Sequence, residues 1–269
     1  GATEANYLAL HGLKDPERTA FATSQRDHES IRNAANSHDT ISANQTTLEL
    51  DDNGCICKRS LQAWLLSTNT NTQTTEQPEE RSNSLFLTTT LVCGQTGAVE
   101  DISGIQQLLI DTSTPYTLHI DATQAVGKIP LSFPEIEATS LSFAPHKFGG
   151  PRGVGCLLIK KNVEWKPLFS GSQQLQMRGG TEPVALIAGC QTAVHQAVAQ
   201  QGSEAKRLER LREIFEFSVC KMAREFGIDP WIICKNTTRS PHISTIAFPG
   251  IDRQAFMMAA DLNGLAVAT

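Results

Sequence analysis

The stretch Leu118-His119-Ile120-Asp121-Ala122-Thr123-Gln124-Ala125-Val126-Gly127-Lys128 decides the fold. Its first half reads as a strand over 116–120 that delivers Asp121 at its carboxyl end. In layered α/β proteins, ligands sit at that end of the sheet. A second stretch repeats the arrangement. Ser142-Phe143-Ala144-Pro145-His146-Lys147-Phe148-Gly149-Gly150-Pro151-Arg152-Gly153 follows a strand over 140–143 with a His-Lys pair and a turn rich in glycine and proline. Further out, helix and strand signals alternate. Helices are expected over 3–12, capped by Thr3 or its neighbour and stopped by Gly12, and over 28–36, entered through Asp27. Two more are expected over 60–66, with Ser60 as cap, and over 101–110. Strands are expected over 19–24, 46–50 and 85–92, and over 154–160, whose continuous apolar run suits a buried strand. Residues 183–226 read as helical, with a break near Gln201-Gly202-Ser203 where Ser203 caps a second helix. A strand over 242–248, a helix over 252–263 and a strand over 265–268 follow. The alternation predicts an α/β layer with a mostly parallel sheet. The last strand–helix–strand group reads as the start of a smaller α/β domain.

Residues 67–84 differ from their surroundings. They contain no apolar side chain and read as a flexible polar surface loop inside the fold. Over the whole chain of 269 residues, 40% are hydrophobic and 19% charged, the range of a globular protein with a sizeable core. The net charge of −5 argues against binding a nucleic-acid backbone. No apolar run approaches the roughly 18 residues of a membrane helix. The start, Gly1-Ala2-Thr3-Glu4, has neither the basic region nor the apolar stretch of a secretory leader. The seven cysteines form no disulfide framework, and Cys55-x-Cys57 lacks the second pair a zinc site needs. Reduced thiols and a cytoplasmic setting follow as expectations. The abrupt ends predict a fragment of a longer protein.

An Asp and a Lys at adjacent strand ends suit pyridoxal phosphate. That cofactor takes a lysine for its Schiff base and a carboxylate to keep its pyridine nitrogen protonated. Its phosphate takes N–H groups at a helix N-terminus, which Gly1-Ala2-Thr3 can offer. Spacing alone also fits a turn aspartate and a surface His-Lys pair.

The ordered set of segments resembles the cysteine desulfurase family of fold-type-I pyridoxal-phosphate enzymes, the class V aminotransferase group. Gly1-Ala2-Thr3-Glu4-Ala5-Asn6 resembles its phosphate-binding turn and helix, and Arg26-Asp27-His28-Glu29-Ser30-Ile31 its ring-stacking histidine segment. The Asp121 and Lys147 segments come next. Gly179-Gly180-Thr181-Glu182-Pro183 is similar to its Gly-Thr-x-Pro segment, and Ser240-Pro241-His242-Ile243-Ser244 to the start of its smaller domain. The resemblance implies a three-layer large domain over 1–190, with connecting helices and a partial small domain over 191–269. It gives Lys147 the Schiff base and proton movement at the substrate's α-carbon. Asp121 takes the pyridinium nitrogen and Gln124 the phenolic oxygen. His28 takes the ring face and acid–base work. Ala2, Thr3 and His146 take the phosphate. Thr181 reaches the phosphate of a neighbouring subunit, which implies a homodimer. The implied reaction turns L-cysteine into L-alanine, with sulfur passed to an enzyme persulfide for iron–sulfur clusters or thio-cofactors. An iron–sulfur scaffold or sulfur-acceptor protein is the implied partner.

Two departures stand out. The family's Asn-Asn-Glu-x-Gly segment reads here Cys93-Gly94-Gln95-Thr96-Gly97, so Gly94 has no side chain where a contacting Asn is usual. Ala144 stands where a phosphate-binding Ser is common. None of the seven cysteines occupies the place of the family's loop nucleophile, which is expected after residue 269. Cys93 is the nearest alternative by context. Another lyase or transaminase on the same scaffold, or a truncated non-catalytic homologue, remains open.

Overall fold

The computed structural model describes residues 1–13, 15–74 and 84–268. A six-stranded sheet runs in the order β2-β1-β3-β4-β5-β6. Its strands are β1 (Thr19–Ser24), β2 (Gln45–Leu48), β3 (Ser84–Thr90), β4 (Tyr116–Asp121), β5 (Ser140–Phe143) and β6 (Cys156–Ile159). The first five are parallel, and β6 is antiparallel to β5. On one face lie α1 (Ala2–His11), α2 (Glu29–Asn36) and α3 (Asp39–Asn44). On the other lie α4 (Lys58–Thr74), α5 (Ile102–Asp111), α6 (Phe133–Ile136) and the start of α7 (Val184–Glu225). The strands alternate accordingly. Ala20, Ala22, Leu85, Leu87, Leu118, Ile120 and Leu141 pack toward α4 and α5. Phe21 and Phe86 pack toward α1 and α2. This is the expected three-layer α/β arrangement.

Because β2 and β3 leave β1 on opposite sides, the sheet has a topological switch beside β1, and ligand crevices open at such points. The turns after β1, β3, β4 and β5 all emerge at that edge. Gly12 closes α1 with φ −77°, so packing rather than a left-handed turn requires it. A Cβ there would lie 1.7 Å from Trp165 Cδ1. The Trp165 indole donates to Leu8 O and locks this corner.

Several expectations are corrected. Asp27 does not cap α2. It is buried and accepts bonds from Ser24 N, Thr88 Oγ1 and Thr90 Oγ1, while His28 is the N-cap. Gly1, not Thr3, is the N-cap of α1, and no side chain caps that end. Ser60 lies inside α4, where its hydroxyl accepts from Glu49 N. The polar stretch is helical as far as Thr74, because a helix nucleated on buried Leu61, Trp64 and Leu65 propagates without new apolar anchors. Ser84 already belongs to β3, and 75–83 lie outside the described residues. Strand β6 is a half-exposed edge. The preceding connection holds only the short 3₁₀ turn Pro145–Phe148, not the crossover helix a parallel return needs. The break at Gln201-Gly202-Ser203 is absent, and α7 is a single helix of 42 residues. One glycine costs about 1 kcal/mol in a helix interior, and ion pairs at i,i+3 and packing elsewhere along α7 outweigh it. Ser203 Oγ bonds back to Gln200 O within the helix instead of capping a new one. Of 242–248, only β8 (Ile246–Ala247) is a strand, paired with β7 (Trp231–Ile232). Asp252 caps α8 (Arg253–Leu262), and 265–268 form no strand.

Candidate active site

The alternation of β4 and β5 places His119, Asp121, Ser140 and Ser142 on the face opposite the apolar core, toward α1. There α1 supplies a fully buried amide, Asn6. Its Nδ2 donates to Ser30 Oγ and to Asp121 Oδ2, both at 2.9 Å. With both N–H groups used, Asn6 Oδ1 accepts from Ser142 Oγ and from His119 Nε2, the latter at 3.1 Å. His119 Nδ1 then accepts from Ser140 Oγ at 2.9 Å. Burial pushes the His119 pKa down to about 4, against the pull of the Asp121 charge, so the ring is neutral at pH 7.

Asp121 is 3% exposed. Its Oδ1 accepts from Thr123 N at 2.9 Å and its Oδ2 from Asn6. Among the described residues no salt bridge reaches it. A carboxylate offers about four acceptor positions, so two remain for a further donor. The buried hydroxyl of Thr123, beside it, has no hydrogen-bond partner among the described residues.

Ser30 joins this network to His28, its hydroxyl lying 2.9 Å from His28 Nδ1. The Ser30 backbone N–H also donates to Nδ1, at 3.1 Å, so the neutral ring carries its proton on Nε2. The two expected cofactor-facing groups, His28 and Asp121, are thus ends of one chain of bonds through Ser30 and Asn6.

Gln124 follows β4 and is half-buried. Its Oε1 lies 3.2 Å from His242 Nε2. A Cβ on Gly94 would stand 3.8 Å from Gln124 Nε2, so the missing side chain leaves its space beside this amide. Cys93, next to it, is buried.

Lys147 and His146 are exposed on the 3₁₀ turn Pro145–Phe148, at the same edge as Asp121, whose register partner on β5 is Ser142. The pKa of His146 is lowered by partial burial and by the neighbouring positive charges of Lys147 and Arg152. The start of α1 belongs to the same cationic corner. A Cβ on Gly155 would stand 2.3 Å from the Gly1 carbonyl carbon and 2.8 Å from Ala2 N, so only glycine lets the chain entering β6 pass this close to the start of α1. The free N–H groups of α1, His146, Lys147 and Arg152 form a corner suited to an anion.

Thr181 is exposed, and no described contact brings it to the other candidates. Pro183, not Thr181, occupies the N-cap position of α7. Its segment is tied back to α1 by Arg178, whose Nε donates to Glu4 Oε1 at 2.8 Å.

Sequence reasoning placed Asn6 in a motif without giving it a role, and it missed His119, Ser30 and Ser142. The signal was there in His119-x-Asp121 and Ser140-x-Ser142, polar pairs on alternating positions of otherwise apolar strands. His242 sits in the segment that resembles the start of the smaller domain, and no local signal in the sequence ties it to Gln124.

The sequence matches the family described as Aminotransferase class-V over residues 1–269. A relative named cysteine desulfurase IscS from Dictyoglomus turgidum is 27% identical over 100% of this chain and 64% of its own length. The chain therefore spans just under two thirds of that relative. The NifS-like protein from Rickettsia africae superposes with a TM-score of 0.84 at 22% identity, covering 100% of this chain and 68% of that one. A structure of SspA in complex with cysteine superposes with a TM-score of 0.71 at 22% identity, covering 100% and 70%.

Proposed function

We propose, from the premise that the chain belongs to the aminotransferase class-V family, that it forms the cofactor-binding part of a pyridoxal-phosphate cysteine desulfurase. One observation carries the reading. Asp121 is a buried carboxylate with acceptor capacity left, at the same sheet edge as Lys147 and the cationic corner of α1. The residues present fit the cofactor: a carboxylate that meets no cation and an amide whose N–H groups meet no acceptor among the described residues, a lysine and an anion corner.

In this reading, Asp121 holds the proton of the pyridinium nitrogen, and Asn6 keeps its carboxylate in place. Gln124 donates to the phenolic oxygen. His28 takes the ring face, with Nε2–H available to donate. The N–H groups of Ala2 and Thr3, the Thr3 hydroxyl and His146 hold the phosphate, with Thr181 serving the site of a second subunit in a homodimer. Lys147 would hold the cofactor's aldehyde and move the proton at the substrate's α-carbon. Bound pyridoxal phosphate supplies an electron-accepting ring that stabilises charge at that carbon. The net reaction balances as L-cysteine plus an enzyme thiol giving L-alanine plus an enzyme persulfide. Residues 1–190 form the large domain and 191–269 the connecting helices and part of a smaller one, with α7 running through both. A cytoplasmic homodimer handing sulfur to an iron–sulfur scaffold or another acceptor completes the proposal. No helix among the described residues is long and apolar enough to cross a membrane.

A second reading, a different lyase or transaminase on the same scaffold, is favoured by Gly94, which removes a side chain beside Gln124. The test is a sulfide-release assay of the full-length protein loaded with pyridoxal phosphate. Release from L-cysteine supports the desulfurase. Cofactor binding without release, and turnover of another amino acid, supports the second reading.

A further inference from the structure

The segment 238–245 lies along the turn after β3. Val99 N donates to Thr238 O at 2.9 Å, and Ser240 N donates to Gly97 O at 2.7 Å. Thr245 Oγ1 bonds Gln95 O. From the other side, α7 grips the same segment. Arg239 makes a two-pronged bond to Glu216, at 2.6 and 3.0 Å, and both side chains are nearly inaccessible. Ser244 Oγ donates to the same carboxylate at 2.7 Å, and Arg212 bonds Ser240 O. This clamp presents His242 to Gln124.

The hydrogens on the His242 ring follow from its neighbours. Ser240 is fully buried, and its hydroxyl faces His242 Nδ1 at 2.8 Å. A buried hydroxyl hydrogen goes to an acceptor, and Nδ1 is the acceptor at hand. Burial and the charges of Lys128 and Arg212 hold the ring neutral by lowering its pKa to about 4. The remaining proton is therefore on Nε2 and donates to Gln124 Oε1. An amide whose oxygen is taken can turn only its NH2 toward the cofactor side.

We propose that His242 is a positioning residue that fixes the Gln124 amide with its NH2 toward the anionic ring oxygen of the cofactor. The clamp of Arg212, Glu216 and Arg239 holds it there. Gly94, at the same amide, supplies no side chain that could do this. The inference rests on the proposed pyridoxal-phosphate function and adds the residue that orients one of its contacts.

A donor to the ring oxygen stabilises its negative charge, so the neighbouring exchangeable proton is held less tightly. The experiment is a pH titration of visible absorbance on the full-length protein loaded with pyridoxal phosphate, for wild type, Gln124→Ala, His242→Phe and His242→Gln. Gln124→Ala is expected to raise the midpoint by about half a unit to one unit, and His242→Phe to raise it similarly. His242→Gln keeps an N–H donor and is expected to restore the wild-type midpoint, which a purely structural role would not explain. Should His242→Phe fold poorly, Ser240→Ala, which frees the ring to change tautomer, is expected to raise the midpoint by a smaller amount. A midpoint unmoved by His242→Phe while Gln124→Ala shifts it overturns the positioning role alone. A wild-type protein that binds no cofactor overturns the proposed function with it.

Discussion

Two sides of the same sheet edge bury carboxylates in opposite ways. On the side of β1 and the turn after β3, Glu100 and Asp27 each accept three hydrogen bonds. Glu100 pairs with Arg26 at 2.7 Å, both side chains almost wholly inaccessible, and also accepts from Ile56 N and Asp101 N. The Arg26 guanidinium ties down Gly54 O and Ala98 O as well. Asp27 takes a backbone N–H and two threonine hydroxyls. On the side of β4, Asp121 is equally buried yet accepts two hydrogen bonds among the described residues and has room for more. Three bonds tie each of these carboxylates into the loops, whereas Asp121 accepts two and keeps more room for a ligand's donor.

The largest expected effect breaks the closed side. Glu100→Ala leaves a buried guanidinium without its charge partner and is expected to lower stability by about 3–5 kcal/mol in urea unfolding. Asp121→Asn, by contrast, is expected to change the unfolding midpoint little and to weaken pyridoxal-phosphate binding. Next comes Asn6→Ala, which strands Asp121, Ser30, Ser142 and His119 together. About 2–3 kcal/mol of stability is expected to be lost along with cofactor affinity, whereas a merely local role would leave affinity unchanged.

A pH comparison sharpens the contrast. Burial pushes Asp27 from an ordinary 3.8 up to about 6, outweighing the hydrogen bonds that favour its charge. Between those values the folded state binds more protons than the unfolded one, so the Asp27 contribution to stability is full below pH 4 and declines as pH rises through 6. His119 acts in the opposite sense. With its pKa lowered from 6.5 to about 4, it takes stability away as pH falls through that window. The difference in unfolding free energy between wild type and Asp27→Asn isolates the first effect. It is expected to change by about 2 kcal/mol between pH 4 and pH 7. A flat difference would contradict the assignment. The smallest effect is at the rim. Lys58→Met removes an exposed pair with Asp101 and is expected to cost less than about 1 kcal/mol in the same unfolding assay.

Much of this was legible in the sequence. The strand ending in Asp121, the turn with His146 and Lys147, and the strand over 19–24 read directly, because alternation and turn residues are local signals. Asn6 did not read, because its four partners come from α2, β4 and β5 and meet only when the sheet closes against α1. Asp27 misread as a cap for the same reason. Its position suits a cap, but Thr88 and Thr90 of the adjacent strand claim it. The continuity of α7 also escaped local reading, since a glycine beside a serine gives a stop signal that packing and ion pairs on the helix override.

The central claim is that Lys147 carries pyridoxal phosphate at the open carboxylate side of this sheet edge. Borohydride reduction of the loaded full-length protein, followed by peptide mapping, tests it most directly. The account predicts a stable pyridoxyl label on Lys147, lost in Lys147→Ala. A label on another lysine, or none at all despite bound cofactor, would contradict it.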